Sequence, residues 1–241
     1  MEKIKVMTFN TQHLSLHKMK PDDIIDPAPF AKVILANEAQ IIGLNEVYSL
    51  PNDEKFANQP YQVSKLIPDT TSIFSQAVVL HGKPYGNGMI TYFPVIEEKT
   101  YVVPEPNPHN YNGYYEQRGI LCTLLSVNGK EISVLVTHFG LNPDEAEASV
   151  KKILQIASEI KTPILLMGDF NLTPDSEILK PLYEVFDDAG KLIDGENFTY
   201  DSLSPKIKID YIMTRGMKNI SCRVVKEVVS DHFPLFAELE F

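Results

Sequence analysis

The sequence has few of the features that mark disulfide-rich, zinc-binding or membrane-spanning proteins. It contains no tryptophan and only two cysteines, Cys122 and Cys222, in 241 residues. A disulfide framework needs more cysteines in a shorter chain, and both residues lie in apolar runs, so we expect reduced thiols in strands. Two distant cysteines also argue against a zinc site. No apolar run reaches the length of about 20 residues that a membrane-spanning helix needs.

Positive charge is also scarce. Lys and Arg number 22 against 32 Asp and Glu, which gives a net charge of −10. Proteins that hold long nucleic acids usually carry a basic face, so this balance disfavours such a partner, although a local basic patch remains compatible with it. The first residues lack the unbroken apolar segment of a secretory signal, and we therefore expect a cytoplasmic protein. The length suits one domain over residues 1–241.

Strand and helix patterns alternate along the chain. Apolar residues at helical spacing follow Asp26-Pro27 and again Asn142-Pro143, which predicts a helix after each pair. A third helix is predicted from Asp175 to Asp188, interrupted by Pro181, which should kink or split it. Asn128-Gly129 between two apolar runs predicts a β-hairpin. Two β-rich halves with helices predict an α/β sandwich, with sheets in the middle and helices outside.

The segment from Pro104 to Gln117 breaks this alternation. It is rich in proline and asparagine and contains Tyr111, Tyr114 and Tyr115. Long loops in compact domains are often functional. We therefore predict a surface loop whose tyrosines contact a substrate.

Polar side chains recur at the ends of the apolar strand runs. These residues are Asn10, Asn45, Glu46, His138, Asp169, Asn171, Asp210, Asp231 and His232. In layered α/β folds, strand ends at one edge converge in a crevice where ligands bind. We therefore expect these side chains to form one shared site.

Several of these residues also have a structural explanation when taken alone. Glu46 could be an exposed carboxylate, His138 a hydrogen-bonded structural histidine, and Asp169 the cap of a following helix. Asp210 is harder to explain in this way, because a carboxylate between two apolar residues is expected to be buried and to need a partner. A shared site accounts for all of them together.

The residue types suit the hydrolysis of a phosphate ester. Hard cations such as Mg²⁺ neutralise phosphate oxygens and prefer carboxylate and water ligands. An attacking water needs a base or an orienting carboxylate, and His or Asn side chains can stabilise the charge on the phosphate. The strand-end residues supply each of these parts.

The same residues lie in motifs that resemble those of the endonuclease/exonuclease/phosphatase (deoxyribonuclease-like) superfamily. The motifs are Thr8-Phe9-Asn10, Leu44-Asn45-Glu46, Thr137-His138-Phe139, Gly168-Asp169-Phe170-Asn171, Ile209-Asp210-Tyr211-Ile212 and Ser230-Asp231-His232-Phe233-Pro234. They occur in family order over almost the whole chain. The resemblance implies a four-layered α/β sandwich, with two central, mostly antiparallel sheets flanked by helices, and phosphoester hydrolysis with Mg²⁺ or Mn²⁺.

The resemblance also implies roles for the metal and water side of the site. Glu46 would be the main metal ligand, with Asn10 nearby and Asp231 touching the metal region. Asp169 would activate or orient the attacking water. Asn171 would bind the phosphate.

Two histidines would act on the phosphate. The resemblance implies that His232 contacts the scissile phosphate or serves as general base, oriented by Asp210, and that His138 is a second histidine on the phosphate side. Arg118, before a predicted strand, could contact phosphate. The sequence also departs from the family pattern, because Asn45 stands where many members have glutamine and no glutamate partner for His138 can be identified.

The sequence therefore predicts a divalent-metal-dependent phosphoesterase that acts on a diester or monoester. The charge balance, the lack of tryptophan and the Tyr-rich loop favour a small phosphorylated substrate. Nucleic acid stays possible, and the alternative is a DNA nuclease of the abasic-site or deoxyribonuclease type, which would deform its duplex with basic and aromatic loops. A non-catalytic binding module on the same fold is the other alternative, but it predicts the loss of a catalytic residue, and none is lost.

Overall fold

The computed structural model describes residues 3–17 and 24–241. In this part of the chain, twelve strands, numbered in chain order, form two sheets of six strands. The first sheet contains, from edge to edge, β11 (Lys218–Val224), β12 (Leu235–Glu240), β1 (Lys3–Asn10), β2 (Ile41–Tyr48), β4 (Lys83–Thr91) and β3 (Thr71–Leu80). The second sheet contains β5 (Val95–Val102), β6 (Gly119–Val127), β7 (Lys130–His138), β8 (Ile164–Asp169), β10 (Asp210–Arg215) and β9 (Asp187–Asp188).

Each sheet combines antiparallel pairs with one parallel pair among the described strands. β1 runs parallel to β2, and β7 runs parallel to β8. Asn10 at the end of β1 hydrogen-bonds Asp169 at the end of β8, so the carboxyl ends of both parallel pairs meet at one edge of the molecule. The predicted mostly antiparallel sheets are confirmed, and the two parallel pairs place the polar strand ends together.

The helices cover the outer faces of the two sheets. α1 (Pro27–Ala36) and α2 (Gln59–Ser64) pack on the first sheet, whereas α3 (Pro143–Glu159) and α4 (Lys180–Tyr183) pack on the second. The central apolar layer lies between the sheets. The order is therefore helices, sheet, sheet, helices, which confirms the predicted four-layered sandwich.

The inner strands contribute to two apolar layers at once. Successive side chains of a strand point to opposite faces, so Leu165 of β8 packs between the sheets while Leu166 packs under α3. Val6 and Met7 of β1 divide in the same way between the central layer and the layer under α1. This explains why Ile164–Asp169 reads as an unbroken apolar run before its polar end.

The predicted starts of the two longer helices are confirmed. Asp26 caps α1 by accepting a hydrogen bond from the backbone N–H of Ala28. A capping box between Asn142 and Glu145 begins α3. The predicted hairpin is also present, because Val127 pairs with Lys130 across Asn128-Gly129, and both turn residues have positive φ, as a type I′ turn requires.

The helix predicted from Asp175 to Asp188 is split near Pro181, as expected, but its predicted extent is wrong. A 3-10 turn at Glu177–Leu179 runs into the four-residue α4, with Pro181 in the first turn of that helix. Proline has no N–H and is tolerated only where that group would be unsatisfied, so the segment divides at this point. The residues that would have ended the helix instead form the short strand β9.

Two expectations from composition can be compared directly with the structure. Cys122 in β6 and Cys222 in β11 are free and lie in strands, as predicted, but they are half-buried against the apolar layers and not within the core. Within residues 3–17 and 24–241, no helix is both long and apolar enough to cross a membrane.

Candidate active site

The registers of the second sheet place the predicted residues in one row. His138 lies beside Asp169 in the parallel pair β7–β8, and Asp210 lies opposite Asp169 in the antiparallel pair β8–β10. The first sheet meets this row through Asn10, whose Nδ2 donates to Asp169 Oδ2 at 2.9 Å and to Glu46 Oε1 at 3.1 Å. The structure thus brings these strand ends together, as expected.

Local backbone features direct the side chains towards this site. The register between β2 and β4 shifts at Glu46, which has φ 58°, and such a bulge redirects a side chain at the end of a strand. Asn171 has φ 51°, a left-handed conformation that Asn tolerates better than most residues. Gly168 has φ 146°, and a Cβ there would lie 1.8 Å from the backbone oxygen of Thr137. The glycine of the Gly-Asp motif therefore permits the close approach of β7 and β8.

His232 is surrounded by carboxylates. Its Nδ1 lies 2.9 Å from Asp210 Oδ2, and its Nε2 lies 3.6 Å from Asp169 Oδ2. Burial alone would lower the pKa of His232, but the carboxylates of Asp210 and Asp169 outweigh burial and raise this pKa to about 10. His232 is therefore an imidazolium in this environment, with Nδ1–H held by Asp210.

His138 has the opposite surroundings. Its Nδ1 lies 3.1 Å from Nη1 of Arg118, and its Nε2 lies 3.1 Å from Nδ2 of Asn171. Complete burial lowers the pKa of His138 well below its ordinary value, and the positive charges of Arg118 and His232 lower it further. His138 is therefore neutral.

Asp169 is a neighbour that both histidines share. Its Oδ2 lies 3.6 Å from Nε2 of His138 and the same distance from Nε2 of His232, while its Oδ1 accepts from the backbone N–H of Asn171. Burial raises the pKa of the Asp169 carboxyl to about 7, although the imidazolium of His232 opposes this rise. A carboxyl group with such a pKa can accept a proton at neutral pH.

Oxygen donors that suit a hard cation are also present among the predicted site residues. Glu46 and Asp231 are half-exposed, and Asn10 is held between Glu46 and Asp169. Asp169, Asp210 and His232 also place ligand atoms within 4.8 Å of one another. However, Mg²⁺ and Mn²⁺ prefer oxygen ligands to imidazole nitrogen, so the oxygen-rich group around Glu46 is the better fit for these ions.

A buried oxygen also points to a charged partner in this region. Within the described part of the chain, Asp210 Oδ1 has no hydrogen-bond partner although Asp210 is 1% exposed. A buried carboxylate oxygen without a donor is costly. The donor set therefore fits a site that is completed by a cation or a bound water.

The predicted loop at Pro104 to Gln117 contains no helix or strand, and it is fastened to the start of α3. The hydroxyl of Tyr115 donates to Asp144, and the Tyr115 ring stacks on His109 at 3.7 Å. Tyr111 and Tyr114 are instead 48% and 65% exposed. Tyr115 thus holds the loop in place, and contact of Tyr111 and Tyr114 with a substrate stays a prediction.

Asn45 has a structural role that the sequence did not reveal. Its Nδ2 donates to Asn87 Oδ1 and to the backbone oxygen of Thr137, both at 2.8 Å, and its Oδ1 accepts from the backbone N–H of Asp169. It therefore joins the first sheet to the strand ends of the second. The only signal in the sequence was its replacement of the family's glutamine.

Lys208 precedes the site residue Asp210, but its charge is not available to a phosphate. Its Nζ lies 3.0 Å from Asp188 Oδ2, and its side chain is 2% exposed. A buried ion pair of this kind satisfies both partners internally. The cationic groups of the site are consequently His232 and Arg118.

Comparisons with solved structures agree on the fold. A crystal structure of an endonuclease/exonuclease/phosphatase from Bacteroides vulgatus matches with TM-score 0.81 and 22% identity, over 100% of both chains. A mannosyl-6-phosphatase from Bacteroides thetaiotaomicron matches with TM-score 0.81 and 18% identity, over 99% of this chain and 100% of that chain. The human Nocturnin catalytic domain with bound sulfate anion matches with TM-score 0.75 and 19% identity, over 99% and 93%.

Sequence comparison identifies the family. No curated protein sequence matches the chain. The model of the Endonuclease/Exonuclease/phosphatase family, which includes phosphatases and nucleases and is generally dependent on divalent metals, matches residues 7–232. Since this match spans nearly the whole chain and every motif of the site, the protein belongs to the Endonuclease/Exonuclease/phosphatase family.

Proposed function

We propose that this protein is a divalent-metal-dependent phosphoesterase that hydrolyses a phosphodiester or phosphomonoester by attack of water on phosphorus. The observation that carries the proposal is the position of Asp169. Its Oδ2 lies 3.6 Å from Nε2 of the cationic His232 and accepts from Asn10, whose amide also donates to the half-exposed carboxylate of Glu46. Such an arrangement supplies a proton acceptor and a charged donor at one point.

Glu46, together with Asn10 and Asp231, would hold Mg²⁺ or Mn²⁺, which when bound neutralises charge on the phosphate oxygens. Asp169 accepts a proton from the attacking water as the new P–O bond forms and the bond to the leaving oxygen breaks. The pKa of about 7 for its carboxyl matches this task at neutral pH.

His232 serves as a charged donor to the phosphate in this scheme. Its Nδ1–H is held by Asp210, so its Nε2–H faces Asp169 and the reacting group. A protonated ring cannot act as a base, which favours the phosphate-contacting role over the general-base role for His232. Asn171 would add a neutral donor to the same phosphate.

Three observations support a small phosphorylated substrate. The chain carries a net charge of −10, Lys208 is internally paired, and the neighbouring loop exposes Tyr111 and Tyr114 rather than basic side chains. One protein of the same fold is a mannosyl-6-phosphatase, which is consistent with a sugar phosphate. The alternative of a DNA nuclease would need a local basic surface.

The experiment is a substrate panel assayed with Mg²⁺ or Mn²⁺ and with excess chelator. The panel contains aryl phosphodiesters and monoesters, sugar and inositol phosphates, choline-type diesters, single-stranded RNA, plasmid and abasic-site duplex DNA. Asp169→Asn should lower turnover by about 10²–10⁴-fold, since it removes the proton acceptor. The control is Asp175→Asn, the same change at an exposed aspartate, which should keep full activity.

Each outcome decides between the candidate functions. Metal-dependent turnover of a small phosphoester alone supports the proposal. Cleavage of DNA with small esters untouched would replace it with the nuclease alternative. Turnover that persists in chelator or in Asp169→Asn would overturn the mechanism, and no turnover of any member would favour a non-catalytic binding module.

A further inference from the structure

His138 is held between donors, although it lies in a site full of carboxylates. Arg118 Nη1 is 3.1 Å from its Nδ1, and a guanidinium has only donors to offer. Nδ1 must therefore carry a lone pair. A neutral imidazole then carries its proton on Nε2, the nitrogen that lies 3.6 Å from Oδ2 of Asp169, the proposed proton acceptor.

Asn171 is also close to this ring, but it does not fix the proton as strictly. Its Nδ2 lies 3.1 Å from His138 Nε2 and donates to the backbone oxygen of Phe139 at 3.0 Å. A carboxamide has an oxygen as well as a nitrogen, whereas Arg118 has no acceptor. A neutral ring can accept a hydrogen bond at only one nitrogen. Because the amide of Asn171 can offer its oxygen to Nε2–H whereas Arg118 can only donate, the guanidinium determines which nitrogen carries the proton.

Glu116 holds this guanidinium in place. The same Nη1 of Arg118 lies 2.8 Å from Glu116 Oε1, and the two side chains are only 11% and 10% exposed. The backbone N–H of Glu116 donates to Glu145 Oε1, and Glu145 belongs to the capping box of α3. The position of Arg118 is thus tied to the rigid start of a helix.

We propose that Glu116 and Arg118 are positioning residues that keep His138 neutral with its proton on Nε2, so that it donates a hydrogen bond to the phosphate of the substrate. This inference rests on the proposed function and adds to it a division of labour between the two histidines. His232 would supply a charged donor, and His138 an uncharged one. Arg118 would act through His138 rather than on the phosphate itself.

The test is the tautomer of His138, read from the ¹⁵N shifts and long-range couplings of labelled histidine in the metal-free protein at neutral pH. The wild-type ring should show a protonated Nε2 and a bare Nδ1. Arg118→Met leaves Asn171 as the remaining donor, on Nε2, so the proton should move to Nδ1. Arg118→Lys keeps a donor and should restore the Nε2–H form.

Turnover supplies a second readout. Glu116→Gln should lower kcat by about tenfold or more, the usual cost of removing a group that orients a site residue. KM should change little, because the lost interaction matters in the transition state. The control is Glu105→Gln, which removes an exposed carboxylate from the same loop and should leave tautomer and turnover unchanged.

The tautomer result stands whether or not the substrate panel succeeds. A wild-type ring with its proton on Nδ1, or an unchanged tautomer in Arg118→Met, would overturn the positioning role. If the tautomer follows the prediction but the wild-type protein hydrolyses nothing, the pair still positions His138 and the proposed function alone fails.

Discussion

His138 ends β7 and His232 lies in the segment before β12, yet both rings lie beside Asp169 and their surroundings differ in charge. His232 faces Asp210 and Asp169, which hold it as a cation. His138 faces Arg118 and Asn171, which hold it neutral. Both rings direct Nε2 at the same oxygen of Asp169.

This difference shows that environment, and not residue type, assigns the roles in the site. When neighbours move the pKa values of two similar groups apart, one group can serve as charged donor and the other as neutral donor. Here the difference between the two pKa values results from the order of the strands in the second sheet. Asp210 comes from β10 beside β8, whereas Arg118 precedes β6 beside β7.

The largest expected effect comes from removing each imidazole ring in turn. His232→Ala should lower kcat/KM by about 10²–10⁴-fold and destabilise the fold by about 3–5 kcal/mol, because Asp210 and Asp169 lose their buried counter-charge. His138→Ala should cost less in both, because hydrogen bonds from a charged donor are roughly twice as strong as neutral ones.

Steady-state kinetics and urea unfolding measure these two quantities. The matched control is His81→Ala, at an exposed position in the turn between β3 and β4. Equal losses in His232→Ala and His138→Ala would contradict the division between a charged and a neutral donor.

The sequence predicted the residues of the site but not this division. Strand-end spacing and motifs identified His138, Asp169 and His232, and those side chains do converge. The partners of the histidines are set by sheet register and by a loop. Arg118 approaches His138 from 20 positions earlier in the chain, and Asp210 approaches His232 from 22 positions earlier.

The fold shows a similar limit. Capping signals located α1 and α3 correctly, because those interactions are local. The short helix α2 was missed although Asn58 caps it and Pro60 lies in its first turn, because six residues are too few for a helical repeat of apolar positions. Gln59, in its first turn, is fully buried, accepts from the backbone N–H of Tyr48 and donates to the backbone oxygen of His13, and no local pattern encodes these contacts.

A second prediction concerns the joint between the sheets. Asn45→Ala should destabilise the protein by about 2–4 kcal/mol, because three buried hydrogen bonds are lost and their partners remain unsatisfied. Of the anchored groups in the second sheet, Thr137 precedes His138 in β7, and Asp169 pairs with His138 as well as with Asp210 of β10, so both adjoin His138 and one adjoins β10. The histidine resonances should therefore shift more for His138 than for His232.

Urea unfolding and histidine NMR test this prediction. Asn112→Ala, at an exposed loop position, is the control and should change neither. A larger shift at His232 would mean that Asn45 supports the other side of the site.

A third prediction is that metal binding depends on the carboxylates of the site and not on His138. Mg²⁺ or Mn²⁺ at about 100 times its Kd should stabilise the native protein by about 2.7 kcal/mol through mass action. For a chain of this size the melting temperature then rises by about 5–11 °C.

Thermal melts at several metal concentrations measure this rise. Glu46→Gln should lose most of it, whereas His138→Ala should keep it. No shift in the wild-type protein at millimolar metal would count against the site.

The smallest effect is the pH dependence of each ring in the metal-free protein. His232 has a folded-state pKa of about 10, above its ordinary value, so its contribution to stability is complete below about pH 6.5 and is lost as pH rises towards 10. His138 has a lowered pKa, so its contribution is present above about pH 6.5 and is lost as pH falls. The free energy of unfolding cannot change by more than about 1.4 kcal/mol per pH unit through either ring, because each ring exchanges one proton.

Histidine ¹⁵N titrations should therefore show His232 protonated at pH 8 and His138 neutral at pH 6. His232→Gln should remove only the loss of stability on the alkaline side. If both rings titrated together near their ordinary pKa, the contrast between them would be lost and Asp169 would face two equivalent partners.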